Sequence, residues 1–342
     1  MINGLSKTKI CCQKLLPHHQ SELNEIHFSG KSSDHIQKLQ AAFFAKKLWP
    51  KGSSIKIGFL GDPPDRKIPK NIIPYSKDLD PLQEKFQDEF QTKGNNFSII
   101  NAIKSIVQER IIPLVNLDIS FTDISQANVR VSFDSSGGAW SLIGTDHLEE
   151  TDPTTATMNL GWFDVATTIH EFGHVIGMIH EHQNPLGQRI MWNEKKVIEW
   201  AKETQGWSEE TTRENIINKY DKNSINGSSF DPLSIMLYFF SPDLTTNNIG
   251  TQQNFRLSGQ DVLWINKIYP KDSGISPDNF YLDTYNMSLE DSIDESNKLA
   301  SKFMSGTTDE NKSVNWKKII IIIIIVFFLL LIIALLWKIF KR

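Results

Sequence analysis

Alternation of apolar and polar positions marks the strands of this chain. Ile55, Ile57 and Phe59 alternate behind Trp49-Pro50-Lys51-Gly52 and stop at Gly61-Asp62-Pro63-Pro64, which predicts one strand. Val115, Leu117, Ile119 and Phe121 alternate in the same way, as do Ala127, Val129, Val131 and Phe133, predicting two more half-buried strands. Between them Ser98 can cap a helix carrying Ile99, Ile103, Ile106, Val107 and Arg110, which Pro113 ends. Trp140-Ser141-Leu142-Ile143-Gly144 is short, apolar and bounded by glycines, and reads as an edge strand able to pair with an extended peptide. Val165, Ile169, Phe172 and Ile176 recur at helical spacing behind Asp164, a suitable N-cap. Helices are also expected over Ile36 to Phe44, Asn193 to Gln205, Ser208 to Tyr220, and from Ser258 to Tyr269-Pro270. The polar segment from Lys67 to Asn96 is weakly informative and is expected to contain surface loop. Strand, helix, strand, strand ahead of a further helix gives an α+β chain with a mixed sheet and helices packed on it.

Composition divides this chain further. Residues Ile319 to Trp337 are nineteen consecutive apolar residues, seven of them an unbroken isoleucine run, with Lys317, Lys318, Lys338, Lys341 and Arg342 as flanks. At 1.5 Å per residue a helix of that length crosses the hydrocarbon core, and no soluble helix needs to be apolar on every side. Only five residues follow Trp337, and the N-terminus shows no apolar stretch of signal-peptide length, so the expectation is a single-pass, C-terminal tail anchor in an intracellular or virion membrane. Lys271 to Asn315 is polar and acidic and predicts a flexible stalk. The organisation expected is 1–46 as a leader or short pro-segment, 47–270 as the catalytic domain, 271–316 as stalk, and 317–342 as anchor. A net charge of −4 argues against a nucleic-acid surface. The two cysteines, Cys11 and Cys12, are adjacent and so brace nothing; they read either as incidental thiols or as a latency device that shields or ligates a metal.

That metal is predicted by His170-Glu171-Phe172-Gly173-His174-Val175-Ile176-Gly177-Met178-Ile179-His180, the pattern HExxHxxGxxH. A helix places i and i+4 on one face, so His170 and His174 can offer two imidazoles to one ion, with Glu171 beside the open position. Gly177 can end the helix and reverse the chain, bringing His180 as third ligand. Three protein nitrogens leave the fourth position of a tetrahedral zinc for water, which is a catalytic arrangement. By chance HExxH would occur in roughly 1 chain in 100 of this composition, and the added Gly and His lower that to about 1 in 10,000.

With these residues in view the chain resembles the metzincin zinc endopeptidases, and among them the astacin-like group. Trp49-Pro50-Lys51-Gly52 is similar to their WPxG opening, Trp140 to Gly144 to their WSYxG edge strand, and Ser234-Ile235-Met236-Leu237-Tyr238 to their SIMHY Met-turn. Leu257-Ser258 with Asp261 and Ile265-Asn266 resembles their closing helix, so about residues 47 to 270 are covered. The resemblance implies two subdomains, one Zn²⁺ held by His170, His174 and His180, Glu171 as general base, Met236 as the floor beneath the metal, and Tyr238 as oxyanion stabiliser. The alternative for Tyr238 is a packed aromatic. Glu181 matches the family glutamate that meets a freed N-terminus. Three features depart from the family: its paired cysteines are absent, Leu237 replaces the Met-turn histidine, and Phe59-Leu60-Gly61-Asp62 mimics the FxGD latency motif but lies after the WPxG opening. The function implied is hydrolysis of protein or peptide substrates by a membrane-anchored enzyme in contact with the lipid bilayer. A catalytically silent, membrane-tethered binding protein, or a hydrolase of some other substrate, would share the site.

Overall fold

The structure is a computed structural model describing residues 11–13, 43–63, 78–185, 190–220, 225–226, 230–272 and 274–305. Its strands are β1 (Cys12–Gln13), β2 (Phe43–Phe44), β3 (Ser54–Phe59), β4 (Asp118–Phe121), β5 (Val129–Ser132), β6 (Ala139–Ser141), β7 (Met158–Leu160) and β8 (Ile225–Asn226). Its α-helices are α1 (Pro81–Lys93), α2 (Ile99–Ile106), α3 (Val165–Val175), α4 (Glu194–Gln205), α5 (Glu209–Thr212), α6 (Gly259–Ile268), α7 (Pro277–Tyr285) and α8 (Leu289–Ser305). Two compact units divide the chain at residues 300 and 301; of the second, only the end of α8 is described.

Six strands form one mixed sheet in the order β1-β6-β7-β5-β3-β4. The pairs β3–β4, β3–β5, β5–β7 and β1–β6 are parallel, and β6–β7 is antiparallel. Alternation does what it predicts in β3, where Ile55 and Ile57 turn inward and are fully buried. With Val129, Val131 and Met158 they meet the apolar stripes of α2 and α3, giving one continuous core. Ser98 caps α2 by accepting from the Asn101 amide at 3.2 Å, and the helix continues through a π-turn, Val107–Ile111, before Pro113 removes an N–H donor. The helix α3 packs on β6, β7 and α2, so its opposite face is left for the cleft. Smaller clusters lie beyond, one joining α4 to Tyr238 and Phe240, another joining Phe44 to Ile143, Ile179 and Tyr220.

Several expectations are corrected. Phe43–Phe44 is a strand and not the end of a helix: it pairs antiparallel with β8, Phe43 is fully buried in the main core, and so the leader boundary at residue 46 cuts through the domain. The polar segment from Lys67 to Asn96, where the sequence predicts no helix, carries α1, started by Asp80 and Pro81 and stopped by Gly94. Its single stripe, Leu82, Phe86 and Phe90, is too narrow to stand out in a polar segment. The stalk expected over 271–316 instead carries α7 and α8. Phe280, Tyr281, Tyr285 and Leu289 enter the main core, and Ser292 receives the Gly259 amide at 2.9 Å. Small buried serines pack closely without an apolar signature, which is why composition suggests a stalk. The Trp140 segment is not a free edge: β1 lies outside it, with Cys12 opposite Trp140 and Gln13 opposite Ser141. Of the five residues only Trp140 and Ser141 are in the strand, and Gly144 turns away with φ +51°. Among the described residues no helix is long and apolar enough to cross a membrane; Ile319 to Trp337, Ile36 to Ala42 and the histidines 18 and 19 lie outside those residues.

Candidate active site

The cleft is built on α3. Asp164 caps it by accepting from the Thr167 amide at 2.7 Å and from the Trp162 indole at 2.9 Å. Val165, Ile169, Phe172 and Ile176 are buried in the core, as their spacing requires, and this turns His170, Glu171 and His174 the other way. The helix stops in a Schellman motif, Gly177 N–H to His174 C=O at 2.9 Å and Met178 N–H to Gly173 C=O at 2.9 Å, with Gly177 at φ +95°. The reversal returns the chain beside its own helix and delivers His180.

The three imidazoles converge. The donor atoms of His170, His174 and His180 lie within 4.8 Å of one another, and His174 Nε2 stands 3.1 Å from His180 Nε2. Nitrogens about 2.0–2.1 Å from one tetrahedral zinc are about 3.3 Å apart, so the pair has the spacing of two ligands. His170 Nδ1 faces the Ile235 carbonyl at 2.9 Å and His174 Nδ1 the Met178 carbonyl at 2.8 Å. A carbonyl only accepts, so each Nδ1 carries the proton and each Nε2 presents its lone pair inward. His170 Nε2 is buried and has no hydrogen-bond partner. Burial pushes the His170 pKa down to about 4, and burial together with the neighbouring imidazoles holds His174 and His180 well below the ordinary value. Neutral imidazoles are what a metal requires. These residues fit zinc.

Glu171 is fully buried beside them, and burial raises its carboxyl well above the ordinary range. A hydrogen bond from the Cys11 side chain and the charge of Asp164 act in opposite directions on it. A divalent cation nearby would draw that value back down. Against the same helix runs the segment Ser234 to Tyr238. Met236 Sδ comes so close to Gly173 that a Cβ there would sit 2.7 Å from it, so the helix carries a glycine at its middle. The sequence signal was present in that interior glycine, which costs about 1 kcal/mol relative to alanine and needs a reason. Asp261 holds the turn by accepting from Ser234 Oγ and the Ile235 amide, both at 2.8 Å, while closing the capping box of α6 with Ser258. Burial first, then the Asp231 charge, pushes Asp261 up to about 7.

Tyr238 is packed against the histidines. Its ring lies 4.2 Å from that of His180 and 5.9 Å from that of His170, and its hydroxyl donates to the Cys11 carbonyl. Leu237 lines a cavity of about 110 Å³ beside His170, together with Cys11, Trp162, Thr167 and Asn254. Glu181 points elsewhere, accepting from the Asp231 amide and Asn184 at 2.9 Å each. Phe59 stacks on Phe121 and Phe133 at the end of β3, so the FxGD mimic begins on the last residue of a core strand.

Comparison with known proteins gives concordant results. Residues 85–270 match the peptidase family described as Astacin. A solved structure described as that of myroilysin is 30% identical, with 68% of this chain and 100% of that chain covered at a TM-score of 0.50. A second myroilysin structure is 29% identical over 66% of this chain and 87% of its own, at a TM-score of 0.40. A hatching enzyme zinc-protease of medaka fish, high choriolytic enzyme 1, is 17% identical over 68% of this chain and 98% of its own, at a TM-score of 0.38. The curated proteins give no significant match.

Proposed function

The chain belongs to the astacin family of peptidases and is a zinc-dependent metalloendopeptidase; from that premise we propose that Glu171 is its general base and that it works tethered to a membrane. The observation that carries the first part is the convergence of three imidazoles with Glu171 buried beside them. His170, His174 and His180 would hold the zinc. When bound, zinc supplies a Lewis acid that lowers the pKa of water to about 7 and polarises a carbonyl.

Glu171 is placed to receive the proton of the attacking water and to pass it to the leaving amine. The backbone carbonyls of Ile235 and Met178 fix the tautomers of His170 and His174, so both keep their lone pairs available. Tyr238, stacked near His170 and His180, has a hydroxyl that can turn to the developing oxyanion once it leaves the Cys11 carbonyl. The polar backbone of Trp140 and Ser141 offers an extended peptide the same pairing that β1 now takes. The substrate class is therefore protein or peptide. The membrane part rests on the apolar run from Ile319 to Trp337 and its basic flanks.

Glu171→Gln tests the base. It should leave one zinc per chain and lower peptide hydrolysis by about 10²–10⁴-fold, the usual contribution of general acid–base catalysis. Undiminished hydrolysis with zinc in place would remove Glu171 from the role.

A further inference from the structure

Three cavities in the catalytic unit share lining residues. The one beside His170, of about 110 Å³, reaches Gln253 and Asn254. A small one of about 70 Å³ adjoins it across Asp164, Ala166 and Gln253 and reaches Phe255. The largest, about 220 Å³, starts from the same Gln253, Asn254 and Phe255 and extends to Arg256, Glu295 and Leu299. The histidine cleft therefore continues along the segment Gln252 to Arg256 and ends against α8. The family match stops at residue 270, so the far wall comes from residues outside it.

Gln252 to Arg256 has an uncommitted backbone. It belongs to no helix or strand, and none of its N–H or C=O groups is paired with another backbone group among the described residues. It is nevertheless held at both ends and in the middle. The Thr251 amide donates to the Phe240 carbonyl at 3.0 Å, Asn254 Nδ2 donates to the Pro232 and Ser234 carbonyls at 3.0 and 2.8 Å, and Leu257 is buried in the main core. A fixed stretch of main chain with open donors and acceptors can pair with an extended peptide, as a sheet edge does. At about 3.3 Å per residue, five residues run about 16 Å. Charge gives the far cavity no single preference. Arg256, its guanidinium 5.0 Å from the centre of the Tyr285 ring, lines the same space as Asp78 and Glu295.

Resting on the peptidase reading above, we propose that Gln252 to Arg256 and α8 form an extended subsite that binds about five residues of the substrate through their main chain. The ligand is an unfolded stretch of polypeptide to one side of the cleaved bond. A folded segment has its N–H and C=O groups committed to its own helices and strands, and offers this strip nothing. Glu295 and Leu299 close the far end, so the reach is finite.

The test uses full-length enzyme, purified in detergent with zinc, and peptides cut at one bond that the products identify. Each peptide is lengthened a residue at a time on either side. On one side kcat/KM should rise by at least about tenfold over about five residues, a factor that roughly two main-chain hydrogen bonds supply. N-methylation of alternate amides there should remove most of the gain, and changing the side chains should remove little. Glu295→Trp and Leu299→Trp put an indole into the far cavity and should shrink this gain. Glu295 is exposed, so its variant folds even where Leu299→Trp does not. Leu282→Trp, exposed on α7 and lining none of the three cavities, should match wild type. Calorimetry on Glu171→Gln should show the longest peptide binding more weakly once Glu295→Trp is added. Equal gains in wild type and Glu295→Trp would overturn the subsite. A gain that survives N-methylation and follows the side chains would overturn main-chain recognition. Peptide binding that Glu295→Trp weakens, with no hydrolysis by zinc-loaded wild type, would keep the strip and remove the peptidase reading instead.

Discussion

Gly144 is constrained in two ways. Its φ is +51°, and a Cβ there would meet the Lys47 carbonyl oxygen at 1.8 Å, a backbone atom that cannot swing aside. Gly94 has the same φ but nothing within 4 Å. Gly94→Ala should therefore cost about 1 kcal/mol, from backbone conformation alone, and Gly144→Ala upwards of about 3 kcal/mol, with urea midpoints measuring the difference. Equal losses would show that Lys47 can move. His147 tests burial of a neutral imidazole away from the metal. It contacts the Leu142 carbonyl at 3.0 Å, and burial lowers its pKa from the ordinary 6.5 to about 3. The unfolded chain takes up this proton at about pH 6.5 while the folded chain refuses it, so the contribution is whole above that pH and is lost progressively as pH falls toward 3. The cost is about 1.4 kcal/mol per pH unit over that window, and His147→Asn should reduce the slope of urea stability against pH there.

Among the elements, α7 and α8 differ most from their appearance in the sequence. Tyr285 reaches across to Asp80 at 3.1 Å, where Arg110 already makes a two-pronged ion pair at 2.8 and 2.9 Å. Tyr281 hydrogen-bonds Ser292 at 2.8 Å, and Ser296 reaches Asp231. These contacts tie the segment after residue 270 to α1, α2 and α6, so it is part of the catalytic domain's support. Phe280→Ala should cost about 3–5 kcal/mol, the usual loss for a buried aromatic, and a chain ending at residue 275 should melt well below one ending at residue 305. Matching melting curves would mean that the helices are an appendage. By contrast α3 and α6 were legible in full from caps and periodicity: Asp164, Ser258 and the i, i+3, i+4 stripes are local signals, and local signals survive into the fold.

At the scale of the molecule, the catalytic unit is joined to a run of nineteen apolar residues. If Ile319 to Trp337 anchors the chain, the full-length protein should float with liposomes after alkaline extraction, while a chain ending at residue 305 stays in the soluble fraction and keeps its peptidase activity. Flotation of the shorter chain, or extraction of the longer one, would argue against an anchor. Consecutive residues were enough to mark the three histidines that converge, the glutamate beside them and the strands β3 to β5, because helical and strand periods are short-range and a histidine cluster on a helix is written in neighbouring positions. What lies far apart in the chain yet meets in space became visible only on folding. Folding placed Cys11 beside Glu171 and β1 on β6 across more than a hundred residues, buried Phe43 in the core, and docked polar α8 through Ser292 and Ser296. Such contacts depend on backbone edges and single hydrogen bonds, which leave no periodic trace in a sequence, whereas an apolar stripe does.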